Sequence, residues 1–372
     1  MIPFNRASCG DKEKLYISKA IANGTYSGDG EFVEKCHLWF RENFNTKGML
    51  VTSCTHALEM SAILTGIQPG DEVIMPSFTY VSTANAFVLM GVRIVFVDIR
   101  PDTLNINEDL VEAAITPKTK AIVVVHYGGN ACEMNTLTEI AQKYNLRLIE
   151  DNAAGIMAKY KNRFLGTIGD MGCISFHETK NIQCGEGGAL LINKEEFFDR
   201  AEVIRFKGTN RKAFLNGIVD KYTWVDLGSN YAMNELSASF LYAQLEIAFE
   251  ITQERIAKWQ QYYERLMSLD AIELPYVSAE NQQNGHVFYI KTRDNINRDK
   301  LIQFLRENGI LSVFHYIPLH SSPAGKKWGI FSGKDNFTTR ESERLLRLPL
   351  FQSITNQEID YICSKVKEFF SA

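Results

Sequence analysis

Lys180 stands in the run Ser175-Phe-His-Glu-Thr-Lys-Asn181, 29 positions after Asp151, which closes the mostly apolar stretch Leu146-Arg-Leu-Ile-Glu-Asp. A lysine can form an imine with an aldehyde, and an aspartate can keep a pyridine nitrogen protonated; pyridoxal phosphate (PLP) chemistry needs both. To react, the lysine must lose its proton, so burial or a neighbouring cation has to lower its pKa from about 10.4. Asp151, at the end of an apolar run, is a costly carboxylate unless something cationic meets it, and a pyridinium N–H is such a partner. Taken singly, each has a plainer reading: one surface lysine among many, and a strand-end aspartate capping the next turn.

Other residues extend the pattern. Thr52-Ser-Cys-Thr-His-Ala-Leu58 places small hydroxylic residues directly before the helical run Ala57 to Leu64. A helix N-terminus of that kind is an anion site through its free N–H groups and dipole, although Ser53 or Thr55 could simply cap the helix. Tyr80, in Pro76-Ser-Phe-Thr-Tyr, follows the run Val73 to Met75, where its ring could stack on a flat cofactor or be an ordinary core tyrosine. Gly185-Glu-Gly-Gly188 lacks the order of a dinucleotide or P-loop fingerprint and reads as a tight turn. His126, His177, His315 and His320 are too scattered for metal ligation, so no metal is expected, and no Gly-x-Ser-x-Gly elbow indicates a serine hydrolase.

The elements that must position these groups are visible as short β-rich runs with helical patterns between them. The runs are Glu72-Val-Ile-Met-Pro, Arg93-Ile-Val-Phe-Val-Asp98, Ala121-Ile-Val-Val-Val-His126, Arg147-Leu-Ile-Glu-Asp151, Cys173-Ile-Ser-Phe176 and Ala189-Leu-Leu-Ile-Asn193. Leu110 to Ile115 and Leu137 to Tyr144 fit as helices, the second with an apolar face at Leu137, Ile140, Ala141 and Tyr144. This alternation predicts an α/β fold with a mostly parallel sheet covered on both faces, whose ligand crevice lies outside the carboxyl ends of the strands. After residue 245 the texture changes to an amphipathic stretch (Gln253 to Met267), a Val287-Phe-Tyr-Ile-Lys strand and a terminal helix from about Asn356 to Phe370. We therefore expect a large domain over 1–245 and a smaller α+β domain over 246–372. Lys207 to Asp226 reads as a long loop, a length at which loops are usually functional or disordered.

A chain of 372 residues exceeds the roughly 250–300 at which a single core stops growing, which agrees with two packed regions. The net charge of -4 offers no general attraction for nucleic acid or an anionic membrane, so neither is an expected partner and any phosphate must be bound locally. Seven scattered cysteines without a Cys-x-x-Cys pair indicate neither a disulfide framework nor a zinc ribbon. The start Met1-Ile-Pro-Phe-Asn-Arg-Ala lacks a signal-peptide pattern, and no apolar stretch approaches the roughly 18 residues of a membrane span, so a cytoplasmic location is expected.

The motifs together resemble the sugar aminotransferases of the DegT/DnrJ/StrS family, within the aspartate aminotransferase (fold type I) superfamily, and among them the dTDP-4-oxo-6-deoxyhexose transaminases. The resemblance runs from Ile2-Pro-Phe-Asn through Pro69-Gly-Asp-Glu-Val-Ile-Met-Pro-Ser, the Lys180 motif and Phe314-His-Tyr-Ile-Pro-Leu-His320 to Leu345-Leu-Arg-Leu-Pro-Leu350. It implies a homodimer with shared active sites, in which Lys180 is the imine-forming lysine and proton shuttle, Asp151 the pyridine-nitrogen partner and Tyr80 the stacking residue. It further implies Cys54, Thr55 and Ser175 in the phosphate cradle, Asn230 reaching the phosphate of the neighbouring subunit's cofactor, and His177 close to the lysine. The implied reaction moves the amino group of L-glutamate through PLP to a keto carbon, C4 favoured over C3, of a dTDP-linked keto-deoxysugar. Arg211, Lys221, Tyr222 and Trp224 of the long loop, with His315 and His320, are candidates for nucleotide and sugar contacts, or plain surface residues. One departure stands out: the family usually reads Glu-Asp-Ala-Ala-Gln where this chain has Glu150-Asp-Asn-Ala-Ala154. Ala154 cannot supply the hydrogen bond that a glutamine would give the cofactor's ring oxygen, worth about 1.5–3 kcal/mol, which Asn152 or a water could replace. A PLP-fold protein that binds nucleotide sugar without turnover is the rival reading.

Overall fold

Runs of Val, Ile, Leu and Met that are buried at nearly every position become strands with both faces covered, as in Met171–Ser175 and Gly188–Ile192. The computed structural model, which describes residues 1–371, assembles eight of them into one sheet. Their order is Lys47–Val51, Gly188–Ile192, Met171–Ser175, Arg147–Asp151, Thr119–Val125, Glu72–Pro76, Arg93–Val97 and Gly329–Phe331. Gly188–Ile192 runs antiparallel to both of its neighbours, and the remaining pairings in this sheet are parallel.

Two of these strands go beyond the sequence reading. Lys47-Gly-Met-Leu-Val follows the helix Glu31–Phe44 so closely that its short apolar run cannot be told from a helix end by periodicity. Gly329–Phe331, from the C-terminal part of the chain, is only partly buried and owes its conformation to pairing with Ile94–Phe96 at the edge of the large sheet. Elsewhere the boundaries move by a residue or two. The helix expected at Leu110 to Ile115 is instead Glu108–Val111, capped by Asn107 and tightening into a 3-10 turn over Glu112–Ala114. The loop Lys207 to Asp226 contains the short helix Arg211–Leu215.

Helices cover both faces of the sheet. Cys54–Leu64, with Ala86 and Phe87 of the next helix and Ala201 and Ile204 of Phe198–Arg205, closes one face. On the other, Met134–Lys143 packs Met134, Leu137, Ile140 and Ala141 over Ile122, Val124 and Leu148, while Glu31–Phe44 and Glu235–Leu245 cover Leu50, Ile174, Ala189 and Leu191. A separate core gathers Trp259, Tyr262 and Leu266 of the helix Ala248–Leu266 with Phe288, Leu346, Leu348 and the terminal helix Asn356–Ser371. There the strands Phe288–Lys291 and Val313–Phe314 flank Leu345–Leu348 in antiparallel order. The N-terminal residues join this region, since Ile2 bridges Ile310.

Because the strands are parallel, their carboxyl ends and the loops that follow converge at one edge: residues 52–55, 77–80, 126–128, 151–154 and 175–180. One glycine makes that edge possible. A Cβ on Gly188 would lie 2.4 Å from the carbonyl carbon of Ser53 and 2.5 Å from the nitrogen of Cys54, so only glycine lets the reversed strand pass beneath the helix start.

Candidate active site

A cavity of about 620 Å³ occupies that edge, with Phe4 and Asn5 from the N-terminus and His286, His315, Tyr316 and Arg347 from the smaller region forming the opposite wall. Asp151, the last residue of its strand, projects into it and is 6 % exposed. Its carboxylate accepts hydrogen bonds from Thr83 Oγ1 (2.6 Å) and from the backbone N–H of Ala153 (3.2 Å). Burial pushes Asp151 above the ordinary carboxylate range, while those two hydrogen bonds and the charge of Lys180 pull it back. The strand beneath is held by Glu150, fully buried on the other face, which accepts from Gly166 (2.7 Å), Ile168 and Gly169 (2.6 Å each) and from His126 Nε2 (2.9 Å).

Lys180 follows the strand Met171–Ser175 in a turn closed by its own N–H donating to His177 O at 2.8 Å. The turn is anchored by Phe176 N to Gly187 O (2.8 Å) and Glu178 N to Gly185 O (2.9 Å), with Gly185 at a φ of 80°. The side chain lines the cavity, and among the described residues its Nζ has no hydrogen-bond or ion-pair partner. Burial lowers its pKa, opposed by Cys54 and Asp151 and assisted by Arg347. A lowered amine and a raised carboxyl in one cleft are the arrangement expected of acid–base chemistry rather than of a structural ion pair.

The helix Cys54–Leu64 begins on the cavity wall, its N-cap Ser53 accepting from His56 N–H at 3.2 Å, and Cys54 and Thr55 both face the cavity. Thr55 Oγ1 donates to Ser82 Oγ at 2.9 Å, and burial together with Asp151 keeps the Cys54 thiol protonated. Ser175 lies across from them, with its Oγ accepting from His177 N at 3.3 Å. His177 lines the mouth, its Nδ1 2.9 Å from Thr179 Oγ1. Tyr80 is 61% exposed at the rim, tilted against Tyr316 at 6.4 Å. Lys180, Asp151, Cys54, Thr55, Tyr80, Ser175, His177 and His315 therefore share one cavity.

Six expected residues lie outside its lining, among them Lys221, which is exposed with its carbonyl oxygen accepting from Asn210 Nδ2 at 3.0 Å. Asn230 is exposed beside Phe206, to which it is bridged. Arg211 pairs with Asp29 at 3.1 Å and lies over the Phe206 ring, while Tyr222 and Trp224 are exposed, the indole N–H of Trp224 donating to Asp226 O at 2.6 Å. His320 is held by Ser77 Oγ (2.7 Å) and by Asp335 (3.2 Å) at the edge of the sheet.

Thr83, His286 and Arg347 also line the cavity, beyond the residues expected from the sequence. Arg347 carried a signal, a lone cation in Leu345-Leu-Arg-Leu-Pro-Leu350. It has no carboxylate partner among the described residues, its Nε has no hydrogen-bond partner, and burial lowers its pKa. Asn152 does not replace the glutamine missing at 154, because its amide donates to Leu165 O at 2.7 Å, fully buried away from the cavity. Ala154 itself lines the cavity.

The fit to a pyridine-ring phosphate is physical. A buried carboxylate that meets two donors among the described residues has room for a ring N–H, the Lys180 amine stands in the same cleft, and a helix N-terminus supplies N–H groups for a phosphate. Comparison with known proteins points the same way. The model of the DegT/DnrJ/EryC1/StrS aminotransferase family matches residues 8–367. The chain is 30% identical over 376 residues to the spore coat polysaccharide biosynthesis protein SpsC of Bacillus subtilis (strain 168), spanning 99% of this chain and 96% of that protein. A DegT DnrJ EryC1 StrS aminotransferase from Brucella abortus is 30% identical with a TM-score of 0.90, over 97% of this chain and 96% of that one. S. venezuelae DesV, solved in complex with a ketimine intermediate, is 28% identical with a TM-score of 0.92, over 100% of this chain and 99% of that one.

Proposed function

Since the chain belongs to the DegT/DnrJ/EryC1/StrS aminotransferase family, we propose that it moves the amino group of L-glutamate to the keto carbon of a dTDP-4-keto-6-deoxyhexose, at C4, for surface polysaccharide. It is a PLP-dependent sugar aminotransferase of fold type I. The observation that carries the reading is Lys180, whose amine has no partner among the described residues, facing the same cavity as the buried carboxylate of Asp151.

PLP, when bound, supplies the electron sink that weakens a C–H bond next to nitrogen. In our reading Asp151 would hold its ring nitrogen protonated, Tyr80 would cover its face, and the start of the helix Cys54–Leu64, with Cys54, Thr55 and Ser175, would hold its phosphate. Asn230 of a second subunit would complete that cradle in a homodimer, and His177 would border the lysine. Lys180 Nζ takes the α-proton of glutamate and, in the second half of the cycle, returns a proton in the opposite sense to the sugar carbon that gains nitrogen. Arg347, which has no carboxylate partner among the described residues, offers its planar guanidinium to a carboxylate of the amino donor. The family membership supports a sugar acceptor, and the polysaccharide role of SpsC supports the purpose of the product.

The test is incubation with glutamate and a panel of dTDP-, UDP- and GDP-linked 3-keto and 4-keto sugars, with products identified by NMR. Amination at C4 of the dTDP-4-keto sugar is expected. Amination at C3, or of UDP- or GDP-sugars alone, would overturn the substrate assignment and leave the reaction in place.

A further inference from the structure

We propose that His286 is a specificity-determining residue for the acceptor: its Nε2 lone pair accepts a hydrogen bond from a hydroxyl of the sugar and disfavours the carboxylates of the amino donor. This rests on the sugar-aminotransferase reading above.

The tautomer follows from a chain of contacts. The carbonyl oxygen of Asn284 can only accept, so the atom of Asn181 that meets it at 2.8 Å must be the amide nitrogen. Asn181 Oδ1 is then the atom 2.9 Å from His286 Nδ1, and Nδ1 must carry the proton. In the neutral ring Nε2 is left as a bare acceptor. It has no partner among the described residues, and His286 lines the same cavity as Lys180 and Arg347. Burial, with the charges of Lys180, Arg255 and Arg347 around it, keeps the ring well below the ordinary histidine range, so the acceptor form persists.

The ring is also held in place. Arg255, buried in the helix Ala248–Leu266, donates from Nε to Gly285 O (3.1 Å) and from Nη2 to His286 O (2.9 Å) and Leu350 O (3.0 Å). Asn284 Nδ2 donates to Ala154 O and Ile156 O at 2.8 Å each, tying the same loop to the large sheet region. Gly285 adopts a φ of 65° and packs where a Cβ would come 2.6 Å from the Arg255 backbone.

A ping-pong aminotransferase must receive two chemically opposite substrates in one cavity. A dicarboxylate presents acceptors and needs donors, which Arg347 provides. A sugar ring presents hydroxyl donors and needs acceptors, and against a carboxylate a bare nitrogen lone pair is repulsive. His286 therefore divides the two half-reactions instead of serving both.

The experiment measures each half-reaction separately on PLP-loaded wild type, His286→Phe and His286→Gln. The glutamate half is followed by the cofactor's visible absorbance, and the sugar half by amination of the keto sugar that the wild type accepts. We expect kcat/KM in His286→Phe to fall at least about tenfold further for the sugar than for glutamate, because a hydroxyl is left unpaired. His286→Gln, which places an amide oxygen near the position of Nε2, should recover most of that loss. Equal losses in both halves, or His286→Gln no better than His286→Phe, would overturn the proposal. A wild type that reacts with glutamate but aminates no nucleotide-linked keto sugar overturns the proposed function itself, and the role of His286 with it.

Discussion

Two residues at the cavity carry separable consequences. Lys180→Ala should lower turnover by about 10²–10⁴-fold or more, read in the glutamate half-reaction, because the proton carrier is lost. The same lysine leaves a signature in stability. Its pKa is lowered on folding, so between the folded and unfolded values the unfolded chain binds more protons and stability rises with pH; below the folded value the penalty is complete. Cofactor-free Lys180→Met should thus melt above the cofactor-free wild type at neutral pH, and the gap should close as pH climbs toward about 10.4. A gap independent of pH would place Lys180 in ordinary solvent. Arg347→Met should raise KM for glutamate by about 10- to 150-fold, the worth of a charged hydrogen bond of about 1.5–3 kcal/mol. An unchanged KM would remove Arg347 from donor binding.

At the scale of elements, the site depends on how closely the reversed strand Gly188–Ile192 approaches the start of the helix Cys54–Leu64. Gly188→Ala forces a Cβ against Ser53 and Cys54, an overpacking that costs about 1–3 kcal/mol and moves the helix N-terminus. We expect weaker PLP affinity by equilibrium titration, with a smaller effect on the protein's melting; unchanged affinity would show that the helix start does not hold the phosphate. Much of this arrangement is legible in the chain. Runs such as Arg147–Asp151 end in the polar residue that enters the cavity, so strand ends and site residues are read together. The strand Gly329–Phe331 is not legible, because its three residues are ordered by a neighbour far away in sequence. His286 is invisible for a related reason: its tautomer depends on Asn181 and Asn284, and no local pattern announces that triangle.

For the whole molecule, the exposed segment around Trp224, at 78% exposure, and Asn230 has no role in the cavity of its own chain. The homodimer reading assigns Asn230 to the neighbour's site. Lys180→Ala and Asn230→Ala subunits, mixed by reversible denaturation, should regain roughly a quarter of wild-type activity, since half the dimers are mixed and each holds one intact site of two. Recovery no greater than the two variants assayed apart would show that each chain completes its own site. Central to every scale is the claim that Lys180 holds the cofactor covalently, and borohydride reduction of the PLP-loaded protein followed by peptide mass mapping tests it most directly. A pyridoxyl phosphate mass is expected on the peptide that contains Lys180, and none in Lys180→Ala. A label on a different lysine, or undiminished labelling of Lys180→Ala, would contradict it.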